Sequence, residues 1–66
     1  MDAKIIGRRL YELRGDTPRD IMAKKLGISV SAISMYENGE RIPRDAIKIK
    51  YAEICNTSVQ EIFFNE

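Results

Sequence analysis

The sequence predicts an all-α fold: five short helices built around a helix–turn–helix. Three observations predict it. Residues Arg19 to Asn38 divide into two helical patterns that meet at Leu26-Gly27-Ile28-Ser29. Capping and turn residues recur along the chain and leave only short connections, as in compact helical domains. No stretch alternates apolar and polar residues in the way a half-buried strand requires.

The first helix runs from about Ala3 to Arg14. Ile5, Ile6, Leu10 and Leu13 recur at helical spacing, with Lys4, Arg8, Arg9 and Glu12 between them. Gly7 weakens this pattern by about 1 kcal/mol relative to alanine. Gly15-Asp16 ends it. Thr17-Pro18-Arg19-Asp20 then reads as a helix start, with a capping hydroxyl on Thr17, proline in the first turn and an acid three residues after the cap. Met22, Ala23 and Leu26 form the apolar stripe of this second helix. Gly27 closes it in the left-handed conformation, which costs glycine no Cβ clash.

Ser29 is placed to cap the third helix. Ile33 and Tyr36 face inward from it, and Ile28 leads in as a hydrophobic staple. Asn38-Gly39-Glu40-Arg41-Ile42-Pro43 is rich in turn formers. Asn38-Gly39 is also a hairpin signal, but no strand pattern flanks it, so it is expected to end the helix. The fourth helix is expected from about Asp45 to Cys55, with Ile47, Tyr51, Ile54 and Cys55 inward and Asn56 closing it in the left-handed conformation. Ser58-Val59-Gln60-Glu61 is a capping box opening a last short helix that buries Val59, Ile62 and Phe63. There are no linkers, repeats or low-complexity segments, so residues 1–66 are expected to form one domain.

The outward face of the third helix carries Val30, Ser31, Ser34 and Met35. An ordinary solvated face is dense in charge; a short, uncharged one suits contact with a partner. Two helices joined by a tight turn containing glycine form the arrangement that presents a second helix to DNA. A plain helical hairpin in a small bundle has the same spacing.

Composition limits the alternatives. A chain of 66 residues lies near the lower size limit for folding without staples. One cysteine permits no intramolecular disulfide, and with no histidine a structural zinc site has no ligand set. No cofactor is expected. Nothing approaches the roughly 20 apolar residues of a membrane span, and the N-terminus is too polar for a signal peptide. The expectation is therefore a cytoplasmic protein, nucleoid-associated if it binds DNA, with Cys55 reduced. The net charge of +1 is unevenly spread. All eleven Lys and Arg lie in residues 1–50 against seven acids, giving +4, while residues 51–66 hold three acids and no base, giving −3. This suggests a basic working end and an acidic back, though a charge run is often only a solvated face. No nucleophile–base pair or phosphate-cradling glycine loop is present, so an enzyme is not expected. Cys55 reads as a small buried hydrophobe, and Asp16 and Asp20 as turn and helix-start acids.

Across nearly its whole length the chain resembles the phage-repressor-like (Cro/repressor, xenobiotic response element) helix–turn–helix family. The resemblance is carried by Leu13-Arg14, by Ala23-Lys24-Lys25-Leu26-Gly27-Ile28-Ser29, by Ile33 through Pro43 including Tyr36-Glu37-Asn38-Gly39, and by Ser58-Val59 through Phe63. It implies a compact five-helix, lambda-repressor-like DNA-binding domain. It also implies that Val30, Ser31, Ser34 and Met35 read bases in the major groove. Arg19, Ser29, Asn38, Arg41 and Arg44 would contact phosphates, and Arg14 would pair with Glu37. Many family members dimerise through the C-terminal part of the domain, which points to the outward-facing Phe64. The chain departs from the pattern in a shorter first connection, in Pro18 at the usual capping position, and in Lys48 where an apolar residue is usual. Its base-reading positions lack Gln, Arg and Asn, which make bidentate base contacts; Val30 and Met35 could instead meet thymine methyls.

The resemblance implies a transcriptional regulator binding double-stranded DNA as a homodimer at a pseudo-palindromic operator. A small repressor of a prophage, a mobile element or a toxin–antitoxin pair fits. With no ligand-binding domain expected, control would come from concentration, a regulatory protein partner or proteolysis. The alternative is a protein-interaction module that keeps the fold without binding DNA.

Overall fold

The computed structural model describes residues 1–65. The helices are α1 (Ala3–Arg14), α2 (Arg19–Leu26), α3 (Val30–Glu37), α4 (Asp45–Ile54) and α5 (Gln60–Phe64), the last a single wide π-type turn. There is no strand among the described residues. α1 lies against α3, α2 touches both α3 and α4, and α5 packs back on α1.

Local signals account for most of the boundaries. Asp2 caps α1, its carboxylate accepting from the backbone N–H of Lys4 and Ile5. Gly27 closes α2 at φ +72°. Ser29 Oγ accepts from Ala32 N at 3.0 Å and opens α3. Asn38 ends α3 in a right-handed conformation, and Gly39 takes the left-handed one. Asn56 turns the chain at φ +55° after α4.

Four expectations are corrected. Thr17 does not cap α2: Pro18 holds the cap position, and no side chain caps it. Thr17 lies one residue too far out for its hydroxyl to reach the first free N–H groups. α4 ends at Ile54, one residue short of the expected end, with Cys55 as its cap residue; Ile54 and Cys55 still face inward, half-buried against the core. The capping box is half made. Ser58 Oγ accepts from Glu61 N at 3.1 Å, but the Glu61 carboxylate accepts from Asn65 instead. Val59 is half-buried.

The core joins every helix. Ile6 and Leu10 of α1 meet Met22, Ala23 and Leu26 of α2, and Ile33 and Tyr36 of α3. Ile47, Tyr51 and Ala52 of α4 close it with Ile62 and Phe63. Ile5 and Leu13 are exposed, because the inward face of α1 runs through Ile6, Gly7, Leu10 and Arg14 and leaves them on one flank. Gly7 explains that choice: a Cβ there would stand 2.6 Å from the carbonyl oxygens of Tyr36 and Glu37. Glycine lets α1 and α3 touch backbone to backbone. Lys48 is buried along its stem, its ammonium 5.7 Å from the Phe63 ring centre and 5.4 Å from that of Phe64. Arg9 anchors α5 by donating from Nη1 to the Ile62 carbonyl at 2.9 Å.

Candidate nucleic-acid interface

α3 turns Ile33 and Tyr36 into the core. Its opposite positions are set by the 3.6-residue period. Val30 and Ser34 stand one turn apart, as do Ser31 and Met35. Val30 and Ser31 are exposed, while Ser34 and Met35 are half-buried at the edge of the face. None of the four carries a charge. The face is held in place at both ends: Ser29 caps the start, and at the finish Glu40 N donates to the Met35 carbonyl at 2.9 Å.

The flanking positions differ in what they are free to do. Ser29 is exposed, but its hydroxyl oxygen already accepts from Ala32 N. Asn38 is exposed, its Nδ2 3.4 Å from Glu40 Oε2. Arg41 and Arg44 are exposed, and neither guanidinium has a hydrogen bond or ion pair among the described residues. Phe64 is half-exposed. It lines a groove with Met1, Ile5 and Arg9, at the end of the molecule formed by α1 and α5.

Arg14 and Arg19 come together with Glu37, which lies 23 and 18 residues from them in the chain. Arg14 Nε donates to Glu37 Oε2 at 2.7 Å, and Nη2 to Oε1 at 3.1 Å. Its third nitrogen, Nη1, donates to the Thr17 carbonyl at 2.9 Å. Arg19 donates to the same Glu37 Oε1 from Nε at 3.2 Å and from Nη2 at 3.0 Å. One carboxylate thus ties the end of α1, the start of α2 and the end of α3. The Glu37 side chain is only 2% exposed, against 12% for Arg14 and 39% for Arg19. The hydrogen bonding that Arg14 donates to Glu37 pushes the guanidinium pKa up, favouring its charged form. Sequence reasoning brought Arg14 to Glu37 but placed Arg19 only at a phosphate. A partner 18 residues away leaves no periodic trace.

No three His, Cys, Asp or Glu gather in a way that could hold a metal among the described residues. No helix there is long and apolar enough to cross a membrane. Burial pushes the Cys55 thiol pKa up, which disfavours a reactive thiolate.

A family model described as helix-turn-helix matches residues 8–62. The chain is 42% identical over 65 residues to the protein named uncharacterized HTH-type transcriptional regulator YazB of Bacillus subtilis (strain 168), an alignment covering 94% of this chain and 93% of that one. No solved structure matches.

Proposed function

We propose that this chain, which belongs to the helix-turn-helix family, binds double-stranded DNA sequence-specifically, laying α3 in the major groove as a small repressor. Membership makes it a DNA-binding transcription regulator; the proposal adds how it binds and in what form. One observation carries it: an uncharged outward face on α3, fixed at both ends, with the exposed arginines Arg41 and Arg44 just beyond it. Phosphate contacts position a protein and base-edge contacts specify the sequence. Arg19, Ser29, Asn38, Arg41 and Arg44 take the first role, and Val30, Ser31, Ser34 and Met35 the second.

A homodimer on a pseudo-palindromic operator completes the reading. The exposed apolar side chains of Met1, Ile5 and Phe64 at one end of the molecule support a two-fold contact there. Such a regulator would work in the cytoplasm, at the nucleoid. Its control would come from its own concentration, a regulatory protein partner or proteolysis, as suits a prophage, mobile-element or antitoxin repressor.

Selection from random duplex DNA at two salt concentrations tests this. A pseudo-palindromic site should be enriched, and affinity for it should fall steeply as salt rises. The competing reading is a protein-interaction module, favoured by the exposure of apolar Val30 and the net charge of only +1. Apolar docking would enrich no sequence and would scarcely respond to salt.

A further inference from the structure

We propose that Glu37 is a positioning residue for DNA contact: it holds the Arg19 guanidinium so that its one unengaged amino group, Nη1, meets a backbone phosphate. The inference rests on the DNA-binding reading above and assigns a division of labour within the three-residue cluster. Arg14 uses all three of its nitrogens on Glu37 and Thr17, and is nearly buried. It is the anchor. Arg19 uses Nε and Nη2 on Glu37 Oε1, and its Nη1 has no partner among the described residues. With 39% of its side chain exposed, it is the member that solvent or a ligand can reach.

The charges agree with this division. Two guanidinium groups face one carboxylate, so one positive charge is left uncompensated, and it falls on the exposed partner. A free arginine on a surface samples many rotamers and loses that freedom when fixed. Arg19 is already fixed by a carboxylate that is itself fixed by Arg14, so a phosphate meets a group whose ordering cost has been met in folding. The planar fork makes this possible, because one edge can grip Glu37 while another nitrogen points elsewhere. A lysine ammonium has no second edge.

Arg19→Lys is therefore the informative variant. It keeps the charge and leaves the Arg14–Glu37 pair in place, so its melting temperature should stay close to the parent's. Its ammonium can accompany Glu37 or reach the phosphate, not both. Binding to every duplex should weaken by about tenfold, and the slope of log affinity against log salt should shrink by about one, as it should for Arg19→Ala. A parent-like slope for Arg19→Lys overturns positioning, since an unguided charge would then suffice. A lowered melting temperature with an unchanged slope also overturns it, leaving Arg19 as a purely structural partner. NMR of the free protein adds a readout that needs no DNA. The Arg19 Nε–H should exchange slowly with water, and rapid exchange would contradict the hold by Glu37. A parent that binds no DNA at all defeats the function itself. Altered variants of a DNA-binding parent bear on this inference alone.

Discussion

Gly7 and Tyr36 meet where the backbones of α1 and α3 approach closely: a Cβ at position 7 would stand 2.6 Å from the Tyr36 carbonyl oxygen. Helix propensity alone makes Gly7→Ala stabilising by about 1 kcal/mol. The contact reverses the sign, because the carbonyls in the way belong to backbone and cannot swing aside. Overpacking of this kind costs about 1–3 kcal/mol. Thermal denaturation of Gly7→Ala should show a lower midpoint than the parent; a higher one would mean that α1 can lift from α3 at little cost.

Arg14→Ala should be among the most damaging single substitutions. It strips Glu37 of two N–H donors and frees the Thr17 carbonyl. Removing one partner of a buried pair costs about 3–5 kcal/mol. Arg19 remains to compensate part of the charge, which favours the lower end of that range. A domain of this size has little more stability than that to lose. Circular dichroism at 37 °C should show a largely unfolded population, and a parent-like melt would relegate the pair to the surface in energetic terms.

Tyr51→Phe should stabilise. The Tyr51 hydroxyl is a buried side-chain polar atom with no hydrogen-bond partner among the described residues, while its ring packs edge-on to Tyr36 at 6.4 Å. Deleting only the oxygen keeps the packing and removes an unpaired polar group, worth about 1 kcal/mol. Burial, first of all, pushes the hydroxyl pKa up. Above pH 10, where an ordinary tyrosine ionises, the unfolded parent therefore holds fewer protons than the folded one, and parent stability falls as pH rises. The advantage of Tyr51→Phe should widen between urea melts at pH 8 and pH 11.

These positions show where the sequence spoke and where it was silent. Gly27, Ser29 and Asn56 act through their own backbone or the next turn, and each could be read from its neighbours. The inward roles of Ile33 and Tyr36 followed from helical spacing. Gly7 could be read locally only as a weak helix former, because its purpose lies on another helix. Thr17 failed as a cap through an offset of one residue, which pattern reasoning does not resolve. Within the candidate interface, the uncharged face of α3 was visible as a pattern. The grip of Glu37 on Arg19 was not, since it depends on how three helix ends converge. Lys48 reads as a departure from an apolar position, and nothing local in the chain shows that its ammonium lies near the Phe63 and Phe64 rings.

Val30 and Met35 offer no strong hydrogen-bonding group, so the base reading proposed for them rests on apolar contact, most naturally with thymine methyls. Replacing thymine by uracil removes only the methyl. At one or two positions of the selected site this should cost on the order of 1 kcal/mol in the parent, and nothing further once the matching residue is alanine. If no position distinguishes the two bases, sequence must be read through Ser31 and Ser34 or through DNA shape.

Phe64→Ala should shift the protein toward monomer in sedimentation at micromolar concentration. Phe64 is 51% exposed beside Met1 and Ile5, which are 56% and 49% exposed. An unchanged monomer–dimer balance would remove Phe64 from the proposed interface.

α3 is eight residues long, below the roughly 12–15 at which an isolated helix is even marginal in water. Its shape is borrowed from the core that Ile33 and Tyr36 enter and from the turns at its two ends. The surface proposed to meet DNA therefore has no existence apart from the folded domain, and an operator and a rise in temperature pull on one equilibrium in opposite directions. Damage at Gly7 or Arg14, neither of them on the outward face of α3, would then surface as a regulator that grips its site when cool and lets go on warming.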